Sequence, residues 1–157
     1  MTIVWDVYDS PVGPLTIHAS PRGLTGLFFP GETAPLDDGA RDPGAFADAR
    51  RQLEEYFAGS RRVFTLPLLP RGTDFQRRVW DELLRIPYGT TVSYSELAAR
   101  LGNLAATRAV ARANATNPLP IVVPCHRVIG ADGSLTGYGG GMHRKQTLLA
   151  LEQTTLF

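Results

Sequence analysis

The sequence predicts an α+β protein. A small N-terminal antiparallel-sheet domain, 1–66, joins through a linker, 67–72, to a mostly helical C-terminal domain, 73–157, that contains a helix-turn-helix. Three observations predict this. Short β-branched and aromatic runs, bounded by Pro and Gly, crowd residues 3–29. From Thr73 onward, apolar residues recur at helical spacing behind capping signals. A length of 157 residues suits one domain, or one main domain with a small partner, and buries enough surface to need no disulfide.

The elements follow in order. Ile3–Tyr8, Leu15–Ala19 and Leu24–Phe29 read as three strands, with turns at Asp9–Gly13 and Ser20–Gly23. Residues 30–44, rich in Pro, Gly and Asp, read as a loop. Asp42 then caps a helix with Pro43 at its first position. Phe46, Ala49, Leu53 and Tyr56 or Phe57 mark its buried face, and Gly59 stops it. Arg50–Glu54 and Arg51–Glu55 are i,i+4 pairs on the wet side. Val63–Leu66 is a candidate further strand. Thr73 and Gln76 form a capping box, before an apolar face of Phe75, Val79, Leu83 and Ile86. Ser93 and Glu96 form another, flanked by Val92 and Leu97 as a hydrophobic staple, and that helix runs to Leu101. An Ala-rich helix spans about Ala105–Ala115. Ile121–Val123 reads as a short buried extended run, 130–141 as a Gly-rich loop, and His143–Glu152 as the last helix.

Composition is globular: 43% hydrophobic, 20% charged. No run approaches the ~18 apolar residues of a membrane span. No basic segment with an apolar core opens the chain, so no secretory signal is expected. The single cysteine, Cys125, excludes an internal disulfide and multi-cysteine zinc sites. A soluble, reduced, cytoplasmic protein with no membrane partner is expected. The net charge of +1 hides an asymmetry. Residues 1–70 carry 6 Arg against 9 acids, a net of −3; residues 71–157 carry 9 Arg and 1 Lys against 6 acids, a net of +4. A basic second half fits a polyanion binder, and it also fits an ordinary solvated surface.

Two short helices joined by a Gly-containing turn fit a helix-turn-helix whose second helix enters a DNA groove. Its many alanines would let the backbone approach closely, and Arg108 and Arg112 share a face. An ordinary helix hairpin with core alanines fits equally.

Cys125 sits in Pro124-Cys125-His126-Arg127. A lone Cys is commonly a small buried hydrophobe. A thiol becomes a nucleophile when a base can take its proton. Adjacent side chains on extended backbone point apart, so a Cys125–His126 hydrogen bond needs a turn or a bridging water. A histidine base needs a carboxylate to hold its tautomer, and the downstream acids are Asp132 and Glu152. His18 and His143 read as packing or surface residues, with no ligand-spaced neighbours for a metal.

The run Pro120-Ile121-Val122-Val123-Pro124-Cys125-His126-Arg127-Val128 resembles the active-site signature of the O6-alkylguanine-DNA alkyltransferases, also called methylated-DNA–protein-cysteine methyltransferases. The likeness keeps the same spacing from about Phe75 to the C-terminus, and the first half fits the family's variable α/β domain more loosely. It implies that Cys125 accepts the alkyl group, that His126 deprotonates it through a water, and that Glu152 orients His126. It implies a hinge asparagine in Asn117, a tyrosine pressing on the target phosphate in Tyr94, and a finger in Arg108 that fills the base stack. Arg112 and Ala109, on the same helix, are further candidates for DNA contact. Tyr138 and the loop Gly137–Gly141 would wall the base pocket, with Lys145 near it. Some relatives carry a serine where this chain has Gly139, so the amides of Gly139 or Gly140 become the candidate donors to the base.

The resemblance implies single-turnover, irreversible transfer from O6-alkylguanine in double-stranded DNA, with no metal and no cofactor. A second cysteine to release the thioether is absent. A monomer in solution is expected, with cooperative assembly on DNA left open. A target atom inside the duplex requires base flipping, and phosphate contacts suit damage at any sequence. Two other readings compete: a non-catalytic DNA-binding damage sensor, and a cysteine hydrolase.

Overall fold

The computed structural model describes residues 3–32, 39–135, 138 and 141–154, without the side chain of Thr154. The chain forms two compact units that divide between Arg71 and Gly72.

In the first unit, β1 (Val4–Ser10), β2 (Gly13–Ser20) and β3 (Gly23–Phe28) form an antiparallel meander in the order β1-β2-β3. Tyr8 faces Leu15 and Ile17 faces Leu27 across the ladders. Gly13 turns the first hairpin at φ 105°, a conformation glycine adopts without penalty. Leu15, Ile17, Leu27 and Phe29 are buried, as are Phe46, Leu53 and Tyr56.

The helix begins later than the sequence suggests. Asp42 makes no side-chain cap, and Pro43–Phe46 is a 3-10 turn. Phe46 is buried and leaves the helical region (φ −113°, ψ 14°), so α1 runs Ala47–Phe57. The Arg50–Glu54 pairing is replaced: Arg50 binds the buried Asp6, which Arg41 Nε also reaches at 2.8 Å. A buried carboxylate left unpaired is far costlier than an exposed one, so it captures the cation. Arg51 meets Glu55 at 3.7 Å. Val63–Leu66 is not a strand. The amide of Thr65 donates to Gln52 Oε1 (2.9 Å), and Gln52 Nε2 donates to Thr65 Oγ1 (3.0 Å), so a helix side chain takes the place of a ladder. Pro67 and Leu69 exchange backbone bonds with Leu24 of β3.

In the second unit, the Thr73/Gln76 capping box opens α2 (Asp74–Leu83), whose Val79, Trp80 and Leu83 are buried. Trp80 Nε1 donates to the Ala113 carbonyl at 2.8 Å, a polar tie the periodicity did not mark. The Ser93/Glu96 box opens α3 (Tyr94–Arg100), and Gly102 at φ 81° ends it. A 3-10 turn, Leu104–Ala106, leads into α4 (Thr107–Ala115). Two two-residue strands, β4 (Val92–Ser93) and β5 (Val128–Ile129), pair in parallel. The last helix, α5, is Met142–Thr154.

Candidate active site

Residues 117–127 form a chain of turns, not the extended run read for Ile121–Val123. Prolines at 118, 120 and 124 supply no N–H for a ladder. The Val123 amide instead donates to the Leu119 carbonyl at 2.8 Å. Ile121 sits at φ 75°, a left-handed conformation costing a β-branched residue roughly 1–3 kcal/mol. Asn117 braces the turn: its Nδ2 donates to Val123 O (2.8 Å) and its Oδ1 accepts from Leu119 N (3.0 Å). Ile121, Val122 and Val123 are all buried, which supplies the offsetting apolar gain.

This scaffold ends in a 3-10 turn, Cys125–Arg127, that places three consecutive buried side chains. His126 Nε2 lies 2.6 Å from Glu152 Oε2 on α5. Arg127 forks onto the same carboxylate, Nε to Oε1 at 2.9 Å and Nη2 to Oε2 at 3.0 Å, and its Nη1 donates to the Ile86 carbonyl at 2.7 Å. The Gly89 amide adds a bond to Glu152 Oε1 at 3.2 Å. Burial alone would raise the pKa of Glu152, but the His126 hydrogen bond and the Arg127 charge bring it down to about 2. Burial pulls His126 below its ordinary value; Glu152 opposes this, while Arg127 and Lys145 reinforce it. At neutral pH the pair is therefore an ionised carboxylate and a neutral imidazole. An ionised carboxylate only accepts, so Nε2 carries the proton and Nδ1 presents its lone pair. Nδ1 takes no hydrogen bond from the described residues.

Lys145 of α5 is fully buried. Its Nζ donates to Val128 O at 2.6 Å and lies 5.9 Å from the centre of the Tyr94 ring. Burial lowers its pKa to about 8, against a smaller upward pull from Cys125. Cys125, His126, Glu152, Lys145 and the half-buried Tyr94 thus gather around one turn. Asn117 braces that turn from the end of α4.

The remaining candidates lie elsewhere. Arg108, Ala109, Arg112 and Ala115 are exposed on α4, as is Ala105 in the turn before it, while Val110, Ala113 and Asn114 are buried. Most of the alanines therefore do not serve a core. Neither Arg108 nor Arg112 forms an ion pair among the described residues. Tyr138 is buried. Gly139 and Gly140 lie outside the described residues.

Two residues escaped the sequence reading. Arg127 was given no role of its own, though a lone Arg between Ile121–Val123 and Val128-Ile129 is a signal for burial. Asn114 is also buried, with Nδ2 3.4 Å from Cys125 O. It carried no sequence signal beyond its place in a helix.

Comparison with known proteins agrees along the whole chain. Residues 74–154 match the 6-O-methylguanine DNA methyltransferase, DNA binding domain, and residues 3–70 match the same family's ribonuclease-like domain. The chain belongs to the 6-O-methylguanine DNA methyltransferase family. A methylated-DNA–protein-cysteine methyltransferase from Mycobacterium tuberculosis (strain ATCC 25618 / H37Rv) is 53% identical over 148 residues, covering 93% of this chain and 90% of that protein. Its namesake from Methanosarcina barkeri is 44% identical over 155 residues, covering 97% and 98%. The crystal structure of M. tuberculosis OGT in complex with DNA superposes with a TM-score of 0.92 at 51% identity, covering 97% and 94%. The chain thus shares that structure's fold.

Proposed function

We propose that this chain repairs DNA by direct reversal, moving the alkyl group of O6-alkylguanine irreversibly to Cys125. One observation carries the reading: a buried carboxylate–imidazole pair, Glu152–His126, with Nδ1 left as a base on the residue next to the thiol. His126 takes the thiol proton through a bridging water. The sulfur attacks the alkyl carbon, the S–C bond forms, and the C–O6 bond breaks with its electron pair retained by the purine. The guanine gains the proton that the thiol lost. No electron donor or acceptor enters the balance.

The exposed, alanine-rich face of α4 suits close approach to a groove, and Arg108 suits insertion because a planar cation can stack and hydrogen-bond together. Arg112 and Ala109 flank it, and Tyr94 serves the flipped nucleotide's phosphate. Tyr138, Gly139, Gly140 and Lys145 form the base pocket. The partner is duplex DNA bearing the lesion, met by a monomer in the cytoplasm, where the thiol stays reduced. Residues 1–66 and 73–157 act as the two domains, with 67–72 between them.

The test is intact-protein mass spectrometry after mixing with a duplex bearing one O6-methylguanine, beside Cys125→Ser. A stoichiometric gain of one methyl group, mapped to Cys125 and absent from the variant, is expected. Tight lesion binding with no mass change would make the protein a sensor.

A further inference from the structure

Asn114 has no part in the reaction just described, yet it is buried on the inner face of α4. Its Nδ2 approaches the Cys125 carbonyl at 3.4 Å, and three residues on, Asn117 Nδ2 holds the Val123 carbonyl at 2.8 Å. Two carboxamides, one in the last turn of α4 and one just beyond it, thus take the two carbonyls that bracket Pro124. The segment they hold is under strain at Ile121, and a strained turn persists only where its surroundings over-determine it. Asn114 is itself a poor core residue. Its Oδ1 takes no hydrogen bond from the described residues, and an apolar side chain of similar volume would bury without an orphaned acceptor. The donor, not the packing, is what an asparagine contributes here.

We propose that Asn114 is a positioning residue that ties α4 to the backbone of the nucleophile and sets the direction in which Cys125 presents its sulfur. This rests on the reading of Cys125 as alkyl acceptor. Asn114 touches neither substrate nor sulfur; it acts through the carbonyl of Cys125, which also accepts the Val128 amide.

The experiment uses the full chain and its Asn114→Leu and Asn114→Ala variants. Single-turnover methyl transfer is followed over a concentration series of duplex bearing one O6-methylguanine, beside thermal melting. The expected result is a maximal transfer rate about tenfold lower, because small misplacements of reacting groups are costly. The half-saturating duplex concentration stays unchanged, and the melting temperature of the Leu variant is not lowered. If the Leu variant does not fold, the Ala variant supplies the same split. Unchanged rates in both variants overturn the assignment, as does a loss found wholly in half-saturation or wholly explained by unfolding. Wild-type protein that takes no methyl group would refute the alkyl-acceptor reading itself, and this one with it. Normal wild-type transfer matched by both variants would refute this one alone.

Discussion

Replacing Glu152 by Gln tests the electrostatic core of the site. The carboxylate is buried and receives Arg127 twice, His126 once and the Gly89 amide once. The amide leaves the Arg127 guanidinium buried without its counter-charge, which costs roughly 3–5 kcal/mol. Most of this is pH-dependent, because the same counter-charge depresses the carboxylate's pKa. The pKa of Glu152 falls from 4.5 when unfolded to about 2 when folded. A depressed pKa means that its stabilisation is complete above pH 4.5 and drains away as pH falls toward 2, about 3 kcal/mol in all. Urea melts at a series of pH values read this dependence. From pH 7 to 5.5 the wild type should exceed Glu152→Gln by a constant margin. Between pH 4 and 3 that margin should narrow by about 1 kcal/mol. Methyl transfer at pH 7 should fall by ~100-fold, the lower range for losing a tuned base. A margin unchanged down to pH 3, or a variant of wild-type stability at pH 7, would refute the view of Glu152 as a buried, ionised hub.

Other perturbations separate the remaining parts. Lys145 has a folded pKa of about 8 against an unfolded 10.5, so its buried charge costs stability below pH 8, and the cost fades as pH climbs to 10.5. Wild-type stability should gain relative to Lys145→Met across that window, and parallel urea curves would show that the amine is not desolvated. Arg108→Ala should slow repair of duplex far more than reaction with free O6-alkylguanine; equal losses on both would remove its flipping role. Arg112→Ala should reduce the slope of log affinity against log salt by about 1. A wild-type affinity insensitive to salt would count against a phosphate-dominated interface altogether.

The parts of this protein governed by local chemistry were legible in its sequence. The meander followed from alternation between Pro–Gly turns, and both capping boxes formed with the residues expected, Thr73/Gln76 and Ser93/Glu96. Two of the failures share one cause, competition from a distant group. Arg50 abandoned Glu54 because Asp6, forty-four residues away, is buried. Thr65 bonded a helix side chain in place of a strand. Ile121–Val123 has β-branched residues fit for a strand, but the prolines and Asn117 close it into turns. At the site, the resemblance implied Cys125, His126 and Glu152, and the fold gathers these three into one buried cluster. The forked Arg127 and the clamp from Asn114 were invisible, because each depends on which backbone carbonyl the fold delivers to it.

The parallel pair β4–β5 has a consequence for engineering. Val92 is locked to Val128 and Ser93 to Ile129, so the chain from Ser93 to Val128 leaves and returns at fixed, adjacent points. That interval contains α3, α4 and the cysteine turn, closed at its ends by a two-residue clasp and held along α4 by Trp80 of α2. Slipping the clasp by one residue would shift its exit by about 3.3 Å and turn its side chains to the opposite face. Exposed positions of α4 are thus open to exchange for other reading surfaces without moving the thiol. Val110 and Ala113 must stay to seat the helix, and Asn114 and Asn117 must travel with it.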